Sequence, residues 1–237
     1  MRFGGPHRHF RLTDSTNSRA RELAEAGAPR GTVVTATEQS EGRGRQGRTW
    51  SAPPGGALLY SAVLTPLDER HLMLPLAVPI AVCEAAEELS PGLECGIKWP
   101  NDVWVGGRKL AGILIEARPQ DGWAVIGVGL NLAIEQDEFP PELRESAVSL
   151  AGAGPGPAPT PEVARRALDA ALDRWVEADP SAVLAAWRER DALLGREIGW
   201  EDGSGVADGV DGSGRLVVVT GSGDRVALGA GEVHLRL

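Results

Sequence analysis

Lysine is nearly absent from this chain. Its 237 residues hold 22 arginines but only two lysines, Lys98 and Lys109. On a generic surface the two residue types exchange freely, whereas a site that needs a compact ammonium with three free donors tells them apart. Two lysines within residues 98–116 (KWPNDVWVGGRKLAGILIE) therefore mark that stretch as a candidate for chemistry. Two chance surface lysines are the competing explanation.

Cysteine is as scarce. Cys83 and Cys95 fit neither a metal spacing nor a disulfide framework, so a reduced, cytoplasmic setting is expected. No apolar run approaches the roughly 18 residues of a membrane span, and MRFGGPHRHF lacks the apolar core of a signal peptide. Net positive charge is missing too. At −9 the chain is a poor coat for nucleic acid or an acidic membrane, although a local basic patch can still hold phosphate. Histidine occurs four times with no partner in the sequence, which leaves no Ser/His/Asp triad and no Cys/His zinc cluster. His7 and His9 are expected to be solvated in a frayed N-terminus.

What is present suits a globular chain, with 42% hydrophobic residues for a core. Asp14-Ser15-Thr16-Asn17 offers helix caps before SRARELAEAG, and more polar groups than one cap needs, so a ligand-facing turn is the alternative. Residues 32–37 (TVVTAT) and 57–64 (ALLYSAVL) read as strands, the second covered on both faces. Residues 72–89 have helical periodicity that Pro75 and Pro79 should interrupt. Gly106-Gly107 signals a hairpin, and Pro100 puts a turn at WPND. Residues 109–117 and 123–132 read as strands covered on both faces, with Gly127 and Gly129 marking close approach of a backbone or a ligand. Residues 151–160 (AGAGPGPAPT) read as a flexible loop. Thr160 then caps a helix whose apolar face includes Val163, Ala167, Leu168, Ala171, Leu172 and Trp175, and a second helix follows over residues 181–190. From Gly195 short apolar runs between glycines predict a small all-β unit packed on the rest.

Residues 42–47 (GRGRQG) match a dinucleotide fingerprint, but WSAPPGG follows where that motif needs a helix, and residues 39–41 separate it from the strand before. The kinase triplets and a Walker A loop are absent. What remains is a glycine loop carrying Arg43, Arg45 and Arg48 and closed by Trp50. Glycine lets a backbone approach a ligand and Arg gives bidentate contacts to phosphate or carboxylate. The competing reading is a solvated charge run. Without a protein nucleophile, this chemistry points to positioning and charge stabilisation, as in activation of a carboxylate by ATP.

Five ordered motifs now resemble the biotin–protein ligases: DSTN at residues 14–17, TEQSEGRGRQGRTW at 37–50, KWPND at 98–102, KLAGILIE at 109–116 and GVGLNL at 127–132. The resemblance implies an α+β fold. A catalytic domain, residues 1–190, would have a mixed β-sheet similar to class II aminoacyl-tRNA synthetases, and residues 191–237 would form a small SH3-like β-barrel. It implies that biotin and MgATP give biotinyl-5′-AMP and pyrophosphate, after which a lysine of a biotin carboxyl carrier protein attacks the mixed anhydride. Ser15, Thr16, Asn17 and Gln39 would hold the biotin head, and Arg43, Gly44 and Arg45 would close over its tail and the adenylate. Lys109 would bridge the biotin carboxylate and the α-phosphate, which makes it and Arg45 the catalytic residues. Arg43, Arg48, Trp50, Lys98, Asn101 and Asn131 would face the nucleotide. Asp102 is the candidate Mg2+ ligand, with Glu116 beside it. The early position of DSTN leaves no room for the winged helix of the repressor forms, so no nucleic acid partner is expected; monomer and homodimer both stay open. Where some relatives place a Trp over the adenine, this chain reads Ala147-Val148-Ser149-Leu150. A lipoate–protein ligase and a non-catalytic biotin or nucleotide sensor are the alternatives.

Overall fold

A computed structural model describes residues 2–229 and 233–235. Its main sheet has seven strands: β1 (His7–Thr13), β2 (Val33–Gln39), β3 (Ala57–Leu64), β4 (Gly96–Lys98), β5 (Asp102–Val105), β6 (Arg108–Arg118) and β7 (Trp123–Asn131). Across the sheet they run β1-β2-β3-β7-β6-β5-β4. β1 and β2 are parallel, connected through helix α1 (Thr16–Glu25), and the remaining neighbours are antiparallel, so the sheet is mixed.

β3 and β7 are buried along nearly their whole length because both parities of ALLYSAVL and WAVIGVGLN are apolar or small. One face is covered by α2 (Leu74–Leu89), with α4 (Pro161–Trp175) and α5 (Pro180–Glu189) packed on it; a one-turn helix α3 (Leu150–Ala153) precedes them. α2 is apolar on most of its circumference, as a helix enclosed by neighbours must be. The other face carries α1 and the loops that follow β2 and β7, and the cleft opens between these.

Several local expectations change. α2 runs unbroken through Pro79, and Pro75 sits in its first turn, where an N–H has no intrahelical partner to lose. The loop at 151–160 begins as α3, capped by Ser149 Oγ, which accepts from Gly152 N at 3.2 Å. Val163 is exposed, and Ala164 takes the buried position on α4. β6 is covered only over its first half: β5 begins opposite Gly112, and among the described residues 114–118 have no strand partner on that side. His7 and His9 are solvent-exposed as expected, but the described N-terminal residues are not frayed. Phe3 is buried with its N–H donating to Asp173 Oδ1 at 2.8 Å, and β1 places His7 Nε2 and His9 Nδ1 at 2.8 and 2.9 Å from Thr35 Oγ1.

A second, antiparallel sheet contains β8 (Glu197–Trp200), β9 (Gly203–Val210), β10 (Leu216–Thr220), β11 (Arg225–Leu228) and β12 (His234–Leu235), in the order β11-β10-β9-β8-β12. Among the described residues β11 and β12 do not pair, so this sheet is open; four residues of the GEVHLRL segment (231, 232, 236 and 237) lie outside the described ones. The sheet packs on the main body as expected. Ile198, Ala207, Val210, Leu216 and Val218 join the core beneath α2 and α5, Trp99 Nε1 donates to Gly214 O at 3.1 Å, and Arg188 donates to Val210 O at 3.0 Å.

Candidate active site

One row of cross-strand neighbours crosses the sheet, Lys98, Asp102, Gly112, Gly129, Leu59, Ala36 and Phe10, one from each strand from β4 to β1, and its first five line the cleft floor. Two of the seven are glycines, side by side. The indole of Trp50 occupies the space their side chains would fill. A Cβ on Gly129 would come within 2.3 Å of the ring, and one on Gly112 within 2.9 Å. In the next row Gly127 gives the same room to Asn17, whose Oδ1 lies 2.2 Å from where a Cβ would stand. Glycines 127 and 129 thus mark close approach, and what approaches is two side chains of this chain.

The DSTN turn is built from outside the helix. Ser15 sits at the N-cap position with extended backbone but makes no capping bond of its own. Instead Gln39 Oε1, at the end of β2, accepts the Thr16 N–H at 2.7 Å and lies 3.0 Å from Thr16 Oγ1. Asp14 fixes the turn from the other side, accepting from Ser15 N at 2.7 Å and from Arg19 Nη2 at 2.9 Å. The Arg19 guanidinium holds the Asp14 carboxyl down at about 2.

The arginine loop is stapled by backbone bonds, Trp50 N to Gly42 O at 2.9 Å and Gly44 N to Arg48 O at 2.7 Å, with Gln46 left-handed at φ 53°. Arg43 donates to Ser18 Oγ and lies 3.9 Å from Glu116 Oε1. Arg45 donates to Asn101 Oδ1 at 3.3 Å, and Asn101 Nδ2 donates to Ile113 O at 3.0 Å. Lys109 Nζ stands 2.6 Å from Asp102 Oδ1 and 5.6 Å from the centre of the Trp50 ring; Lys98 Nζ lies 5.2 Å from that of Trp104. The backbone of Lys109 is pinned by the segment after β7: its N–H donates to Ser146 O at 2.7 Å, and its carbonyl accepts from Val148 N at 2.9 Å. Asn131, buried, donates to Val148 O at 3.0 Å and holds the same segment.

These groups line one cleft of about 320 Å3. Ser15, Thr16, Asn17, Gln39, Arg43, Gly44, Arg45, Arg48, Trp50, Lys98, Asn101, Asp102, Lys109 and Asn131 all face it. Both lysines of the chain and three arginines converge there, a strong local positive field on a chain of net charge −9. Such a site can hold two anionic groups close together and offset their repulsion. The sequence did not point to Phe139, Leu143 or Ser146 in the lining. They lie in an irregular segment without periodicity, and an aromatic there was the one signal to follow.

The fit to Mg2+ differs between the two carboxylates. Glu116 is already engaged by Asn17 Nδ2 at 2.8 Å and flanked by Arg21 and Arg43. Asp102 faces the cleft ion-paired to Lys109, and among the described residues no cluster of three His, Cys, Asp or Glu side chains forms. A lone carboxylate in the company of substrate phosphates is the usual protein share of a Mg2+ site.

Residues 9–132 match the biotin/lipoate A/B protein ligase family. A biotin–[acetyl-CoA-carboxylase] ligase of Mycobacterium tuberculosis is 36% identical over 237 residues, covering 94% of this chain and 87% of that one. The bifunctional ligase/repressor BirA of Bacillus subtilis is 38% identical over 147 residues, and that match spans 60% of this chain but only 45% of the relative. Among solved structures, the biotin protein ligase from Aquifex aeolicus in complex with biotin and ATP superimposes with a TM-score of 0.81 at 28% identity, over 98% of this chain and 99% of the other. The cleft, the ordered motifs and these likenesses agree, and the chain belongs to the biotin/lipoate A/B protein ligase family.

Proposed function

We propose that this chain is an ATP-dependent biotin–protein ligase, which converts biotin and MgATP to biotinyl-5′-AMP and pyrophosphate and then passes the biotinyl group to a lysine of a biotin carboxyl carrier protein. The observation that carries this reading is the cleft itself: both lysines and three arginines meet opposite the DSTN turn, in a chain alike over nearly its full length to a relative named as such a ligase. The reaction sets a carboxylate against a phosphate, and a cationic cleft lowers that barrier by holding both anions in attack geometry.

In this reading Ser15, Thr16, Asn17 and Gln39 take the biotin head. Arg43, Gly44 and Arg45 close over the tail and the adenylate. Lys109, paired to Asp102 in the structure, bridges the biotin carboxylate and the α-phosphate, and Asp102 would hold Mg2+, which would offset the charge of the phosphates. Arg48, Trp50, Lys98, Asn101 and Asn131 face the nucleotide. Residues 1–190 act as the catalytic domain, similar in architecture to class II aminoacyl-tRNA synthetases. Residues 191–237 act as the small C-terminal SH3-like module, packed on the catalytic domain through the core they share with it.

The test is transfer of labelled biotin to a carrier domain, with pyrophosphate release followed in parallel and lipoate as the competing substrate. Biotin-dependent release and transfer are expected. Release with lipoate alone would move the chain to the lipoate branch, and no release from folded protein would leave a sensor.

A further inference from the structure

Between β7 and α3 the chain runs through residues 132–149, an irregular segment with a single helical turn at Pro141–Leu143. It forms one lip of the cleft, which Phe139, Leu143, Ser146 and Ala147 line. Its far end holds Lys109 on both sides, through Ser146 O and the Val148 N–H, and Val148 O accepts from Asn131 Nδ2. The shape of the lip therefore helps to set where Lys109 and Asn131 stand.

By composition this lip should not hold together. Of the residues 135–145, Glu135, Asp137, Glu138, Glu142 and Glu145 are acidic, and Arg144 is the sole base. All five acids are exposed, and like charges so closely spaced repel and favour an extended chain. Two side chains bend it instead. Arg144 reaches back: its Nε donates to Phe139 O at 3.0 Å and its Nη2 to Asp137 O at 2.8 Å. Gln136 reaches forward: its Nε2 donates to Arg144 O and, at 3.4 Å, to Ala147 O. The two ties cross the same bend in opposite directions. Phe139 is buried in a cluster with Leu59 and Ala147, so Arg144 fastens the acidic stretch to an anchored ring. A guanidinium serves two carbonyls from one rigid fork, and a lysine ammonium has no such fork.

We propose that Arg144 is a positioning residue for the adenylation step: its two main-chain bonds hold the lip in the shape that seats Lys109 and Asn131 for the nucleotide. The inference rests on the ligase reading and deepens it. The residues given to the biotin head stand elsewhere, on α1 and at the end of β2, so ATP should feel the lip and biotin should not.

The experiment is pyrophosphate release by the full chain with a carrier domain as acceptor, for wild type, Arg144→Ala, Arg144→Lys and Gln136→Ala, with KM read separately for ATP and for biotin and thermal unfolding followed in parallel. Loss of the two bonds should raise the KM for ATP by about tenfold in Arg144→Ala. Arg144→Lys, which keeps the charge but not the fork, should lose nearly as much. Gln136→Ala, which changes no charge, should raise it by about threefold. The KM for biotin should stay within about threefold throughout, and unfolding should match wild type. A wild-type KM for ATP in Arg144→Ala would overturn the proposal. Full rescue by Arg144→Lys would overturn it too, since charge alone would then suffice. Equal losses for ATP and biotin, or a Gln136→Ala variant that handles ATP like wild type, would show that the shape of the lip does not govern the nucleotide. Wild-type protein with no biotin-dependent release would instead refute the ligase reading, and it shows before any variant is compared.

Discussion

Trp50 lies against Gly129, with its indole where a side chain at that position would stand. The two residues are far apart in sequence and on different sides of β3, yet each is meaningful only with the other. The loop of arginines is anchored by this ring, and the ring needs the two glycines beneath it. Gly129→Ala should therefore displace Trp50 and with it the loop. An added methyl in so tight a contact costs about 1–3 kcal/mol of stability, and a shift of roughly 1 Å at a positioning group can cost about 100-fold in rate. Thermal unfolding and pyrophosphate exchange measure the two effects. A variant with wild-type melting and turnover would show that the ring moves aside freely.

Lys109→Arg keeps the charge but not the shape. The ammonium fits between Asp102, Trp50 and Gly112, where a Cβ on the glycine would already come within 3.2 Å of Nζ. A planar guanidinium needs more room and cannot present the same point charge. Adenylate formation should fall by at least about 100-fold, the scale of losing one preorganised electrostatic contact. Near-normal biotin-dependent exchange would refute the role given to Lys109.

The arginine loop should be a trypsin site that biotin protects. Arg45 and Arg48 flank a single left-handed turn stapled by few backbone bonds, and glycines make the free loop costly to fix. Segments held by few contacts open most readily. Cleavage at Arg43, Arg45 or Arg48 should slow when biotin is added. Equal rates with and without biotin would count against closure of this loop over the ligand.

Asp169 gives the fold a pH signature away from the cleft. It is buried on α4, accepts from Tyr60 Oη at 2.8 Å and is ion-paired to Arg165. Burial nevertheless pushes its carboxyl up to about 6, with Asp173 and Glu162 adding to the rise against the pull of Tyr60 and Arg165. An unfolded aspartate titrates near about 4. Between those values the folded chain keeps a proton that the unfolded chain has lost, so this group's contribution is best below about pH 4 and declines as pH rises to about 6. Asp169→Asn should remove that slope. Denaturant unfolding at steps from pH 4 to 7 should show the difference between wild type and variant changing up to about 6 and constant above it. A constant difference throughout would place the titration elsewhere.

Much of the site was legible because its parts are local. The hairpin at Gly106-Gly107 is written in two residues of positive φ, 56° and 79°, that side chains would resist. Lys98 and Lys109 stand out by composition alone. The N-terminal strand was not legible, since His7 and His9 find their partner on β2 and Phe3 finds its own on α4. Ser61 was invisible for a similar reason. In ALLYSAVL it looks like one small residue in an apolar strand, and only Thr16 and Asn17 of α1, at 2.8 and 2.6 Å, give its hydroxyl work.

The sequence by itself determined the central strands, the cationic inventory and the motifs, because periodicity, turn chemistry and residue type act over a few neighbours. Tertiary structure alone decided that Gly112, Gly127 and Gly129 are seats for Trp50 and Asn17, that Asp102 holds Lys109, and that Ser61, Thr16, Asn17 and Gln39, from three elements, meet in one hydrogen-bond network. Those are facts about distance across a sheet. Register sets them, and register is fixed only when every strand of the sheet has found its place.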